Sequence, residues 1–395
     1  MQSLSLNNGM MREKVHVPSS KSYANRALIL SALLDNAPLL KNLPLASDVT
    51  ILLEALNKVG LIIEKTDGDI LITNTFPACE IKGVEIEVGE GGTTARFLAA
   101  LLLLGKMPYQ LILGQRLKAR PWQEFIEIVH SLGGKANLKD NVLSLQGPIQ
   151  LPVELKIDCS KTTQFASAFD LISINAKTKV IPLYLSSSQS YWAMTEKMVK
   201  AMAGMESYSI PLDWSSASYS LAFGALNQKM DFPGLFPDEL QADAKFFQIL
   251  EQFQAVTLNE NGIAVIPLDE HHSLKFDVSD ALDLVPTLGY FLAHIEGLHE
   301  LNGIQNLIHK ESDRLGEIIK LLKVFDREAH TDGKSLFIKG DKNRIKEKRD
   351  LSLPNDHRMV MTGALFLIHH GGGTLAPVTA VEKSYPEFFD LIISS

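Results

Sequence analysis

Lys21 and Arg26 stand in "PSSKSYANRALILSALL", residues 18–34, where a helix least favours cations. The apolar run Ala27, Leu28, Leu30, Ala32 and Leu33 has helical spacing, and Pro18, Ser19 and Ser20 give it a start. Both cations then fall in the first turns, beside the positive end of the helix dipole. That placement is unfavourable by about a few tenths of a kcal/mol unless an anion joins them.

The arrangement recurs. "VGEGGTTARFLAALLLLG" from Val88, "IDCSKTTQFASAFDLISI" from Ile157, "LDWSSASYSLAFGAL" from Leu212, "FDVSDALDLVPTLGYFLA" from Phe276 and "LPNDHRMVMTGALFLI" from Leu353 share its plan. In each, a short apolar strand end meets a cluster of capping residues and then about 10–12 residues of small and apolar helix. The period, about 65–70 residues, is too long for a solenoid repeat. If the helices of one lobe run parallel, their starts converge and form an anion site. Lys21, Ser22, Arg26, Thr93, Arg96, Thr162, Thr163 and Gln164 would line it from one lobe, and Asp283, Arg358 and "HKESDR" from the other. In that last cluster Lys310, Glu311 and Arg314 have the spacing of one helical face. Lysine or arginine with hydroxyls suits phosphate, and arginine can take two of its oxygens at once. Taken singly, the threonines are caps and "HKESDR" is a salt-bridged face. The anion reading rests on cations recurring at one point of at least four repeats.

These residues need elements to position them. Alternating runs such as "DILITN", "NVLSLQG" and "SLFIKGD" read as strands, and "RPWQEFIEIVHSLGG" and "ESDRLGEIIKLLKVF" as amphipathic helices. Helices as apolar as "RFLAALLLLG" belong at the centre, with sheets and amphipathic helices outside. The class is therefore α/β, with six mixed units in two lobes of three. The crossover is placed near "MAGMESYSIPL", giving a lobe of residues 19–211 and a discontinuous lobe of residues 1–18 plus 212–395.

Bulk properties set limits. The 395 residues are 46% hydrophobic and 21% charged, as in globular proteins, and a net charge of −8 argues against broad affinity for nucleic acid. The longest apolar stretch, Phe97 to Leu104, is far short of the roughly 18–20 residues of a membrane span. Cys79 and Cys159 make no disulfide framework or zinc pattern, and the first residues lack a basic start followed by an apolar block. A cytoplasmic monomer without membrane or nucleic-acid partners is expected.

Over nearly its whole length the chain resembles the 5-enolpyruvylshikimate-3-phosphate synthase family. "SSKSYANRALILSALL", "GEGGTTARFLAALLLLG", "GQRLKARPWQEFIEIVHSLG", "KESDRL" and "NDHRMVM" are similar to its motifs in order. The resemblance implies a two-lobed inside-out α/β barrel of six βαβαββ repeats with buried parallel helices. It implies transfer of the enolpyruvyl group of phosphoenolpyruvate to the 5-hydroxyl of shikimate 3-phosphate, in chorismate and aromatic amino acid biosynthesis, with no cofactor or metal. Shikimate 3-phosphate would meet Lys21, Ser22, Arg26, Thr162, Thr163, Gln164, Ser188, Tyr191, Asp283, Asn306 and Lys310. Phosphoenolpyruvate would meet Lys21, Gly92, Arg120, Gln164, Arg314, Arg358 and Lys383. Asp283, Glu311 and Lys21 would be catalytic. Glu90 departs from the family's usual asparagine and puts an extra acid near the expected phosphate. It keeps open a non-catalytic or weakly active paralogue that binds a phosphorylated metabolite. A UDP-aminosugar enolpyruvyl transferase is the other alternative, although its usual loop Cys or Asp is not evident.

Overall fold

Six helices of small and apolar residues are buried on almost every side in the computed structural model, which describes residues 2–269 and 272–394. The chain divides into two units, Met1–Pro18 with Leu212–Ser395 (unit 1) and Ser19–Pro211 (unit 2). Unit 2 contains α1 (Lys21–Ser31), α2 (Ser47–Lys58), α3 (Gly92–Leu102), α4 (Gln115–Lys118), α5 (Gln123–Ser131), α6 (Gln164–Ile172) and α7 (Gln189–Ala201). Unit 1 contains α8 (Trp214–Asn227), α9 (Lys245–Gln252), α10 (Val285–Ala293), α11 (Arg314–Val324) and α12 (His357–His369). Helices α1, α3 and α6 pack on one another in unit 2, as α8, α10 and α12 do in unit 1.

Small residues let these helices lie close to their sheets. A Cβ on Gly363 of α12 would come within 2.6 Å of Leu353 Cδ1. Every residue of α12 is buried, and so is α3 from Thr94 to Leu102.

The sheets show the repeat directly. Val84–Gly89 pairs in parallel with Pro108–Leu113 across α3, and the hairpin Lys135–Lys139 and Val142–Gln146 follows α5 and completes the sheet. Lys275–Asp277, Gly297–Asn302, Glu328–Thr331 and Ser335–Gly340 repeat that order around α10 and α11. This is βαβαββ, with strand order first, second, fourth, third.

Other repeats borrow or lack strands. Ser207–Ser209, at the end of unit 2, supplies the first strand beside Leu39–Lys41, which leaves Glu154–Asp158 and Lys179–Leu183 as a two-stranded sheet. In unit 1, Leu4–Leu6 pairs with Gly373–Ala376, and Lys14 bridges to Asp231. Borrowed strands satisfy backbone groups that would otherwise be left at an edge. No helix among the described residues is long and apolar enough to cross a membrane.

Unit 1 also buries a chain of histidines. The Ile345 N–H donates to His370 Nδ1 at 2.9 Å, so His370 carries its proton on Nε2, 2.9 Å from His294 Nε2. His294 therefore accepts there and donates from Nδ1 to the Tyr290 carbonyl at 2.7 Å. Neither ring can take a second proton without setting two donors face to face. Burial first, then neighbouring His369, Arg327, Arg344 and Arg349, holds both rings neutral, with His370 lowered to about 3.

Folded-state pKa values below the unfolded value mean that stability is complete above about pH 6.5 and is lost as pH falls, by up to about 1.4 kcal/mol per pH unit for each histidine. Urea unfolding of unit 1, followed through Trp214, should therefore shift to lower denaturant between pH 7 and pH 5.5. A midpoint unchanged over that range would contradict the neutral chain.

Candidate functional site

In unit 2 the expected anion ligands sit at the starts of α1, α3 and α6, whose N-cap residues, Ser20, Gly91 and Thr163, make no side-chain cap. Lys21 opens α1 with Nζ 2.9 Å from Asp48 Oδ2 at the start of α2, and Ser22 follows it. Gly92 opens α3. A Cβ there would lie 2.7 Å from Arg120 Nη1 and 3.2 Å from Gln164 Oε1, so glycine is what lets these groups meet. Gln164 donates to Thr93 Oγ1 at 3.1 Å and accepts from Arg96 Nη1, and its own N–H donates to Thr162 Oγ1 at 3.2 Å. Arg96 lies over the Phe165 ring, 4.6 Å from its centroid, and burial first, then repulsion from Arg120, pushes its pKa down to about 9. Two crowded guanidiniums beside uncapped helix starts form a site short of negative charge.

Arg26 joins α1 to α7. Its guanidinium is buried, donating to Ser22 O at 2.8 Å, Tyr191 O at 3.0 Å and Thr195 Oγ1 at 2.8 Å. Burial lowers its pKa to about 10. Ser188, the N-cap of α7, has φ 57° and ψ 35°, a left-handed conformation that costs a serine about 1–2 kcal/mol. It sets the direction of the turn that carries Tyr191.

Glu90 accepts backbone N–H bonds from Leu117 at 2.8 Å and Arg116 at 3.3 Å, at the start of α4. The acid departing from the family's asparagine thus anchors the segment that leads to Arg120.

Unit 1 gathers the second group around Asp283. Its Oδ1 is 2.7 Å from Arg314 Nη1 and 3.3 Å from Lys310 Nζ, and its Oδ2 is 3.1 Å from Arg358 Nη2. Burial alone would raise the Asp283 pKa, but Arg358, Lys310 and Arg314 overcome it and hold the carboxyl well below the usual range. Arg314 is enclosed, 2% exposed, with Nε on Asp356 Oδ2 at 2.8 Å; Asp356 is fully buried and its other oxygen accepts the Arg358 N–H at 3.0 Å, capping α12. Lys310 and Asp283 remain partly open, with side chains 24% and 19% exposed. Beside them Glu311 bridges Lys383 Nζ at 2.7 Å and His357 Nδ1 at 3.2 Å. Four cations, Lys310, Arg314, Arg358 and Lys383, thus face three carboxylates.

The "HKESDR" segment does not form one helical face. Gln305–His309, which holds Asn306, is a 3-10 turn, Lys310 is extended, and α11 begins only at Arg314, capped by Asp313. The cap stops the helix from extending back, so Lys310 and Glu311 are free of helical spacing and reach different partners. Sequence reasoning passed over Asp48, Asp356 and His357. Asp356 and His357 lie inside the "NDHRMVM" stretch singled out for its arginine, whereas Asp48 has no motif of its own.

Comparison with known proteins decides the family. The family model for EPSP synthase (3-phosphoshikimate 1-carboxyvinyltransferase) matches residues 7–206 and 204–392. The chain belongs to the EPSP synthase family. The 3-phosphoshikimate 1-carboxyvinyltransferase of Pyrococcus abyssi is 30% identical over 396 residues, 96% of this chain and 94% of the relative. That of Syntrophobacter fumaroxidans is 29% identical over 416 residues, 96% of each chain. The solved EPSP synthase of Acinetobacter baumannii shares the fold, with a TM-score of 0.78 at 21% identity, covering 98% of this chain and 96% of that one. The family is one of transferases, and neither the paralogue nor the UDP-aminosugar alternative is favoured by these matches.

The Glu90 anchor is testable. Glu90→Ala should lower the stability of unit 2 by about 1–2 kcal/mol, as loss of a helix cap does, and speed hydrogen exchange at the Arg116 and Leu117 amides. Unchanged exchange at both amides would show that the carboxylate does not hold this segment.

Proposed function

We infer that the chain transfers the enolpyruvyl group of phosphoenolpyruvate to the 5-hydroxyl of shikimate 3-phosphate and releases phosphate. The observation that carries this reading is the convergence of Lys310, Arg314 and Arg358 on the single Asp283 carboxylate, in a member of the EPSP synthase family. Three cations on one carboxylate leave positive charge for a substrate anion. A phosphate supplies about −1.5 to −2 at neutral pH.

In the reaction the 5-hydroxyl oxygen bonds to C2 of phosphoenolpyruvate and a proton adds to its methylene carbon. The tetrahedral intermediate then loses that proton equivalent and its C2–O bond to phosphate, which restores the double bond. Lys21, Ser22, Arg26, Thr162, Thr163 and Gln164, with Ser188 and Tyr191, are proposed to hold shikimate 3-phosphate from unit 2, and Asp283, Asn306 and Lys310 from unit 1. Arg26 also fixes α7, which carries Tyr191. Gly92, Arg120, Gln164 and Lys21, with Arg358 and Lys383, are proposed to receive phosphoenolpyruvate. Arg314 joins them by exchanging Asp283 for a substrate oxygen.

Glu311 is the proposed proton donor to carbon, supported by its place between Lys383 and His357, from which a proton can be resupplied. Asp283 orients the 5-hydroxyl and takes its proton. Its three cations make it a weak base, and its basicity rises when substrate anions draw Arg358 and Arg314 away. Lys21 stabilises the developing charge, with Asp48 holding its ammonium in place. No cofactor or metal is proposed for these steps.

Purified protein given both substrates should release phosphate, and absence of release would overturn the reading. Glu311→Gln should cut kcat by about 100-fold or more while shikimate 3-phosphate binding stays within about twofold, because it removes a proton and no cation. Loss of binding as large as that of Lys21→Ala would show that Glu311 serves binding rather than proton transfer.

A further inference from the structure

A second buried carboxyl in unit 1 has no part in the steps above. Asp243 lies in the 3-10 turn Ala242–Ala244 that leads into α9, packed against the first turn of α8, and is 1% exposed. The turn is fastened to α8. Gln241 accepts the Trp214 N–H at 3.0 Å and donates to the Leu212 carbonyl at 2.8 Å. Asp243 Oδ2 accepts from Ser215 Oγ, whereas Oδ1 is buried with no hydrogen-bond partner among the described residues.

A carboxylate with one oxygen unsatisfied and out of water is costly in its charged form, so this geometry favours the neutral acid. Helix α8, on which the Asp243 turn packs, also packs on α12, which carries Arg358, and on the turn Leu282–Leu284, which carries Asp283, and Asp213 is its N-cap. Burial pushes the pKa up to about 6 against the pull of Arg358, with Asp283 and Asp213 adding to burial and the Ser215 bond opposing it.

We propose that Asp243 is a positioning residue that sets the charge of the Arg358–Asp283 cluster, so that its protonated form favours binding of the substrate anion and its ionised form competes with that anion for Arg358. The inference rests on the transferase reading of the same cluster. Ionisation of Asp243 adds one negative charge beside the cations Lys310, Arg314, Arg358 and Lys383 and so lowers by one unit the positive charge that would meet a substrate anion. Asp243 acts through Arg358 and touches no reacting atom.

The test is the ratio of the phosphoenolpyruvate KM of the wild type to that of Asp243→Asn, measured side by side from pH 5.5 to pH 8. The ratio cancels the ionisation of the substrate itself. It is expected to be near one at the acid end and to climb about three- to tenfold through a midpoint near 6. Ser215→Ala removes a donor to the anion and should move the wild-type rise to higher pH. A ratio that differs from one but stays flat with pH would reduce Asp243 to a packing role and overturn the proposal.

Should Asp243→Asn fail to fold, the ratio of wild type to Ser215→Ala decides in its place, since a flat line there also overturns the proposal. Should the wild type show no turnover, the failure belongs to the transferase reading. The same ratios, taken as Kd values for inorganic phosphate by calorimetry, then test Asp243 alone.

Discussion

Unit 1 depends on one electrostatic arrangement, a carboxylate held by more cations than it can neutralise. Asp283 is bound by Lys310, Arg314 and Arg358, and Asp356 holds Arg314 from behind while capping α12. Burying charge is costly unless it is paired, and removing one member of a buried pair is costlier still. The Arg314–Asp356 pair holds the cluster from its enclosed side, whereas Lys310 and Asp283 keep an open side.

Unit 2 reaches a similar end by other means. It leaves the starts of α1, α3 and α6 without side-chain caps, and it crowds Arg96 and Arg120 around Gln164. Oriented N–H groups and closely set guanidiniums both disfavour the empty state relative to an occupied one. Unit 1 instead caps α8 and α12 with Asp213 and Asp356, leaves α10 without a side-chain cap, and gathers its cations on side chains around Asp283. One supersecondary repeat thus presents positive charge in two ways.

Much of this was legible in the sequence because repetition marks equivalent positions. The starts of the central helices, Lys21, Thr93 and Gln164 among them, stand at one point of the recurring unit, and the structure bonds Gln164 to Thr93 and Arg96, whereas Gly92 and Arg120 came from the family resemblance. Arg26, five positions on from Lys21 and about 140° around the helix, is buried and bonded to Tyr191 and Thr195 of α7, a packing that spacing alone does not announce. The face expected of Lys310, Glu311 and Arg314 failed because Asp313 caps α11 one residue before Arg314. Asp48 and Asp243 were invisible for another reason. Each gains its meaning from a partner on a different element, Lys21 for one and Ser215 for the other, and no local pattern announces such a pair.

The claim that the surplus of cations governs Asp283 can be measured at the carboxyl itself. Carbon-13 labelling of the aspartate side chains, with Asp283 assigned through Asp283→Asn, allows its titration to be followed by NMR with and without bound phosphoenolpyruvate. The account predicts a carboxyl that stays ionised far below pH 3.8 in the free protein and takes up protons at higher pH once the substrate occupies its cations. An Asp283 that titrates in the ordinary carboxylate range in the free protein, or one indifferent to the substrate, would contradict it.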